Sequence, residues 1–178
     1  AAMVLPLAQA GYLQGSAMAV GAAAGAAAVP LLTSLRTLSR LGLQLVTTLA
    51  LPLMPVYTAA HANANSERLA RLGGGLAIAS LAIGIAFSLG IGLFGMETLR
   101  IWTGGTIQPP QAMVVLTAIG LLPGLVWNPL STLLLAINRH EAYSYTYLAM
   151  AVCTAGLTFA LVHRFGVTGA AGANLVLE

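Results

Sequence analysis

Between Leu72 and Met96 the chain runs for 25 residues without one charged side chain, "LGGGLAIASLAIGIAFSLGIGLFGM". As a helix rising about 1.5 Å per residue, such a run is about 37 Å long, enough to cross a hydrocarbon core of about 30 Å. The run is continuous and lacks period-2 alternation, which excludes a β-barrel strand and leaves a membrane-spanning helix. The same pattern recurs over the chain. Apolar segments extend from about Met3 to Ala24, Leu31 to Ala60, Leu72 to Met96, Gln111 to Ile137 and Ala142 to Val162, with a sixth opening at Val167 and reaching Glu178. Charged residues make up 6% of the chain, against roughly a quarter in a soluble domain, too few to cover a water-facing surface of this size. The expected fold is therefore all-α, a polytopic bundle of about six transmembrane helices forming one domain over residues 1–178. The chain begins and ends inside apolar segments, so it is expected to be part of a longer polytopic protein.

Short polar connections make neighbouring helices antiparallel. "HANANSERLAR", "RIWTGGTIQPP", "NRHE" and "HRFGVTG" separate the second segment from the third, and so on in order. If the first and third of these face the cytoplasm they carry Arg68, Arg71 and Arg139, against Arg100 and Arg164 opposite, and the positive-inside rule favours that orientation by one arginine. "SERLAR" reads as a capped segment with Glu67 and Arg71 one helical turn apart. Tyr143, Tyr145, Tyr147 and Trp102 stand at helix ends, where they are expected in interfacial aromatic belts. The small pairs Gly11/Gly15, Gly21/Gly25 and Gly169/Gly172 have the spacing of close helix contacts.

The composition also narrows function. The net charge of +3 has no basic tract behind it, so nucleic acid is not an expected partner. His61, His140 and His163 are scattered over helix ends and the single Cys153 is isolated, so no metal site, cofactor site or nucleophile–His–acid set is expected and the chain does not read as an enzyme.

One segment departs from the apolar pattern. At about 100° per residue, Thr33, Arg36, Thr37, Arg40, Gln44, Thr47 and Thr48 fall within an arc of roughly 120°, while Ser34 and Ser39 lie outside it and can bond their own helix. Arg36 lies roughly 8 Å and Arg40 roughly 14 Å inside the segment start. A central arginine facing lipid costs about 2.5–3.5 kcal/mol, so the stripe is expected to face a water-filled cavity. Arg36 has a second reading, an ion pair with Glu97 at the end of the third segment. The residues expected to line a substrate cavity are Arg36, Arg40, Gln44, Thr37 and Thr47. Guanidinium, hydroxyl and amide groups together suit phosphate, carboxylate and sugar oxygens and repel cations. Pro52 and Pro55 in "LPLMP", and Pro123 and Pro129 in "PGLVWNP", mark expected kinks or hinges, as in the broken helices of transporters.

These motifs carry a family resemblance. "LTSLRTLSRLGLQLVTTLALPLMPVYTAAHANANSERLARL" resembles the second helix of a lobe in the multidrug/oligosaccharidyl-lipid/polysaccharide (MOP) exporter superfamily, and "IWTGG" the loop after its third helix. "LLLAINRHEAYSYTYLAMAVCTAGLTFALVHRFGVTGAAGANLVLE" is similar to the end of its fourth helix through its sixth. The closest branch in pattern is that of the O-antigen and polysaccharide flippases. The resemblance implies one six-helix lobe, the C-terminal one, of a MATE-like transporter with two pseudo-symmetric lobes around a central cavity. It further implies a bacterial inner membrane and membrane lipids as surroundings, a second lobe of the same chain as partner, and a polyprenyl-pyrophosphate-linked glycan as cargo. From the family only the general role of an intramembrane arginine carries over, to Arg36 and Arg40. The alternatives are a cation-coupled multidrug exporter, which commonly uses embedded carboxylates that the interiors of the first five segments lack, and a membrane-embedded glycan polymerase or transferase, which needs a large loop.

Overall fold

In a computed structural model that describes residues 4–138 and 141–177, the chain is helical, with no strand among the described residues. The helices are α1 (Val4–Ala24), α2 (Val29–Ala50), α3 (Met54–Ala62), α4 (Ser66–Trp102), α5 (Gln111–Ala136), α6 (Glu141–Phe165) and α7 (Val167–Leu177). Four continuous stretches are long and apolar enough to cross a membrane: 26–62, which joins α2 and α3, then α4, α5 and most of α6. The chain is thus a multi-pass membrane protein. Gln9, Tyr12, Gln14 and Ser16 keep α1 below that hydropathy, although its 21 residues are long enough. Arg139, His140 and Glu178 lie outside the described residues.

Local chemistry sets the breaks. Gly25, at φ 86, turns the chain between α1 and α2, and Pro30 occupies the first turn of α2, where its missing N–H is no loss. The expected single helix from Leu31 to Ala60 is interrupted. A 3₁₀ turn over Leu51–Leu53 contains Pro52, and Pro55 follows in the first turn of α3. Pro123 and Pro129 lie within α5, which continues through both. The helix expected from Leu72 starts six residues earlier, because Asn65 caps it: its side-chain oxygen accepts from the Arg68 N–H at 2.9 Å. Glu67 and Arg71 do pair, at 3.0 Å, but both are exposed and contribute little.

The helices fall into two groups. α1 lies along α6, and α6 along α7; α4 lies along α5, with α2 and α3 packed against both. α7 against α5, and α1 against α2, join the groups. α5 and α6 are consecutive in the chain, yet they pack together only sparsely. The tightest apolar core sits where α1, α4 and α6 end and α2, α5 and α7 begin. It includes Val20, Leu32, Leu35, Leu99, Met113, Val114, Val162 and Ala170. Towards the opposite end α5 and α6 pack only sparsely against each other. Large apolar side chains such as Ile78, Leu93, Phe94 and Phe159 cover the outer surface, as a lipid-facing wall requires.

Of the small-residue pairs, one position is tight. A Cβ on Gly169 would collide with the carbonyl oxygen of Leu161, a backbone atom that cannot swing aside, whereas a Cβ on Gly172 meets nothing within 4 Å. Gly169→Ala is therefore expected to destabilise the α6–α7 packing by about 1–3 kcal/mol or more, and Gly172→Ala to be nearly neutral. Thermal unfolding of the two purified variants in detergent checks this; equal midpoints would refute it.

Candidate functional site

The space between the two helix groups holds two cavities. One, of about 260 Å³, is lined by Gln9, Tyr12 and Leu13 of α1, by Arg36, Ser39, Arg40 and Leu43 of α2, and by Leu116, Thr117 and Gly120 of α5. Tyr147 of α6 and Ala171 and Asn174 of α7 complete it. The other, of about 330 Å³, is lined by Gln9, Tyr12, Leu43, Gly124, Trp127, Asn128, Ser131, Tyr143, Thr146, Tyr147 and Met150. Gln9, Tyr12, Leu43 and Tyr147 line both, so the cavities adjoin and form one polar track. The sparse packing of α5 on α6 is what leaves room for the second.

Arg36 stands at one end of the track, held by neutral groups. Its Nη2 donates to Ser16 Oγ at 2.6 Å and to Asn174 Oδ1 at 3.2 Å, its Nη1 donates to the Leu13 carbonyl at 3.3 Å, and its guanidinium carbon lies 5.0 Å from the centre of the Tyr12 ring. Ser16 Oγ in turn donates to the Tyr12 carbonyl. The Arg36 Nε is buried without a partner. The expected ion pair with Glu97 does not form: Glu97 faces Arg100 at 3.8 Å on the exposed end of α4, and among the described residues no carboxylate pairs with Arg36. The reason is helical register, since Arg36 faces α1 and α7 while Glu97 sits one turn from the solvent end of α4. Among the described residues, then, nothing acidic offsets the positive charge that Arg36 carries into the bundle.

Arg40, one turn further in, is exposed and makes no hydrogen bond or ion pair with any described residue. It is the free cation of the track.

The polar arc of α2 is divided in two by the packing. The cavity side is centred on Arg36, Ser39, Arg40 and Leu43, which is offset by about 60° from the centre of the arc expected from sequence. Thr47, expected to line the cavity, borders neither one; its hydroxyl lies 3.4 Å from Oδ1 of Asn128, which does line the second. Thr37 and Gln44 stand outside the cavities, exposed on the outer face beside Thr33 and Thr48. Every one of the four threonine hydroxyls donates to its own helix four residues back. Ser39 does the same yet borders the cavity. The outer face of α2 thus shows Arg40, Thr37, Gln44 and Thr48 next to a ridge of exposed Leu41, Leu45 and Leu49.

Tyr143 and Tyr147 are not belt residues. They turn inward to wall the second cavity, where Tyr143 contacts Trp127 at 5.4 Å and Tyr147 at 5.9 Å between ring centres. Tyr145 and Trp102 remain exposed at helix ends. Gln9, Tyr12, Trp127, Ser131 and Asn174 also line the track and were not expected to. A signal existed for some: Gln9, Tyr12 and Ser16 recur at spacings of three and four on α1, and Tyr143 and Tyr147 lie four apart on α6. Among the described residues no three of His, Cys, Asp and Glu gather closely enough to hold a metal ion.

Comparison with protein families, with curated proteins and with solved structures finds no match to the chain.

The two arginines should separate on stability. Arg36→Ala removes three hydrogen bonds and a ring contact from between three helices, and is expected to cost about 1–3 kcal/mol. Arg40→Ala removes no internal partner and should stay within about 0.5 kcal/mol of the parent. Denaturation in detergent measures both, and a larger loss at Arg40 would contradict the geometry.

Proposed function

We propose that the chain is one lobe of a transporter, a flippase that moves a lipid-linked oligosaccharide or polysaccharide precursor across a bacterial inner membrane by alternating access. The observation that carries this reading is a pair of cations with no acidic partner among the described residues: Arg36 fixed by neutral groups and Arg40 free, both on a track between membrane helices. Such a pair repels cations and recognises an anionic head group through the planar fork of guanidinium. The lipid tail of the cargo stays in the bilayer while its pyrophosphate and sugars pass through water-accessible polar space.

The exposed polar face of α2 supports the two-lobe arrangement. Arg40, Thr37, Gln44 and Thr48 would be costly against lipid, and in this reading they face a central passage shared with a second lobe of the same chain. α1 and α7 then serve as spans alongside the four long apolar stretches, which gives six. The loops after α3 and after α5 are assigned to the cytoplasm. The second cavity, lined by the end of α5 and the start of α6, lies towards that side, and in this reading it is the opening to the cytoplasm. The resemblance of the α2 segment and of "IWTGG" to motifs of the MOP exporters, read from the sequence alone, points the same way. The cation-coupled drug exporter is less suited to the site, because among the described residues no carboxylate lines either cavity.

In the full-length protein, Arg40→Ala is expected to abolish glycan export while Arg40→Lys retains part of it, since lysine keeps the charge and loses the fork. Export assayed in cells whose native exporter is deleted, with expression of each variant verified, makes the comparison. Normal export by a stably expressed Arg40→Ala protein would remove Arg40 from the mechanism.

A further inference from the structure

The two cavities differ in chemistry, and the difference assigns them different parts of one cargo. We infer that the compartment walled by Trp127, Tyr143 and Tyr147 is a binding site for a single neutral sugar ring, the one next to the phosphate of a lipid-linked glycan. The inference rests on the flippase reading for the identity of the cargo, but the compartment's geometry stands apart from it.

A sugar ring has a C–H face of low polarity and a rim of hydroxyls. The first packs on aromatic faces, whose negative quadrupole attracts the partly positive hydrogens; the second needs donors and acceptors that carry no charge. The compartment supplies both. Trp127 and Tyr143 meet at 58°, and Tyr143 and Tyr147 at 68°, so none of these contacts is a parallel stack that would pair the ring faces with one another. Around them stand Gln9, Asn128 and Ser131. Asn128 Oδ1 accepts from Thr47 Oγ1 at 3.4 Å, while its amide nitrogen has no partner within the described protein. Ser131 donates to the Asn128 carbonyl at 2.7 Å and keeps its lone pairs for an incoming hydroxyl.

Size and charge restrict the occupant further. A cavity of about 330 Å³ lies at the lower end of small-molecule sites, which suits one ring and not an oligosaccharide. Aromatic walls also attract organic cations. Here, though, no carboxylate lines the compartment among the described residues, and it adjoins a cavity bearing Arg36 and Arg40 through shared Gln9, Tyr12, Leu43 and Tyr147. A cation would meet repulsion with nothing to offset it. A neutral ring bonded to a phosphate fits both halves, with the phosphate at the guanidinium groups and the ring at the aromatic wall.

The test uses the full-length protein in lipid nanodiscs free of sugar-based detergent. Three probes are compared by equilibrium binding: a polyprenyl pyrophosphate, the same lipid carrying one neutral hexose, and tetraphenylphosphonium. The expected result is that the hexose-bearing lipid binds about tenfold more tightly than the bare one, the scale of one good aromatic contact with a hydrogen bond. Trp127→Leu should erase that preference while leaving the bare lipid's affinity within twofold, and Trp127→Phe should keep most of it. The wild-type comparison stands alone if Trp127→Leu fails to fold. Equal affinity for the two lipids overturns the sugar compartment and leaves the flippase reading intact; binding of neither overturns both. Tight tetraphenylphosphonium binding that is lost in Trp127→Phe or Trp127→Leu shows a cation pocket and overturns the inference.

Discussion

The guanidinium of Arg36 is the interaction on which the arrangement of the helices turns. A charge inside an apolar bundle must be solvated by something, and here the solvent is built from α1 and α7: a backbone carbonyl, a hydroxyl, an amide oxygen and the face of a tyrosine. None of these is charged. They orient the group and share its hydrogen bonds, yet they leave its net charge in place. The same contacts draw α1, α2 and α7 together at one level, and the second cavity opens beyond them where α5 and α6 pack only sparsely. Had Glu97 been the partner, the charge of Arg36 would be offset and Arg40 alone would remain a free cation of the cavity.

Around this anchor, each compartment follows from which helices fail to touch. α4 and α5 close tightly, with Ser88 donating to the Ala118 carbonyl and Gly84 and Gly95 admitting the side chains of Leu125 and Val114. α6 is instead occupied by α1 and α7, so its inward tyrosines meet Trp127 across a space and not across a packed seam. Rings do at this place what methyl groups do elsewhere in the bundle. They fill part of the gap and leave flat surfaces facing the rest of it.

The membrane class and most helix positions were legible in the sequence because continuous apolar runs have few ways to satisfy their backbone away from water. The polar arc of α2 was legible for a similar reason, since the period of a helix fixes which side chains share a face. The rotation of that face about its axis was not. It depends on which neighbours α2 meets, and the observed offset of about 60° moved Ser39 to the cavity and left Thr37 and Gln44 outside it. The tyrosines near the start of α6 were read by their position along the helix, when their direction around it decides their surroundings. Asn65 as a cap lay within reach of sequence reasoning, because an asparagine just before "SERL" supplies the acceptor that a helix start lacks.

The order in which the polar partners of Arg36 occur along the chain has a consequence for how the protein is made. Two of its hydrogen-bond acceptors, Leu13 O and Ser16 Oγ, precede it by about one helix, while the third, on Asn174, follows 138 residues later. During synthesis α2 reaches the bilayer with α1 already available, so the two can enter as a hairpin whose arginine is partly satisfied from within. The last acceptor arrives only with α7. Until then Nη2 has Ser16 as its acceptor but lacks its second one, and docking of α7 supplies both that bond and the small side chains that seal the core beside it. Insertion of α2 thus draws on residues translated before it, and completion of the bundle on residues translated at the end.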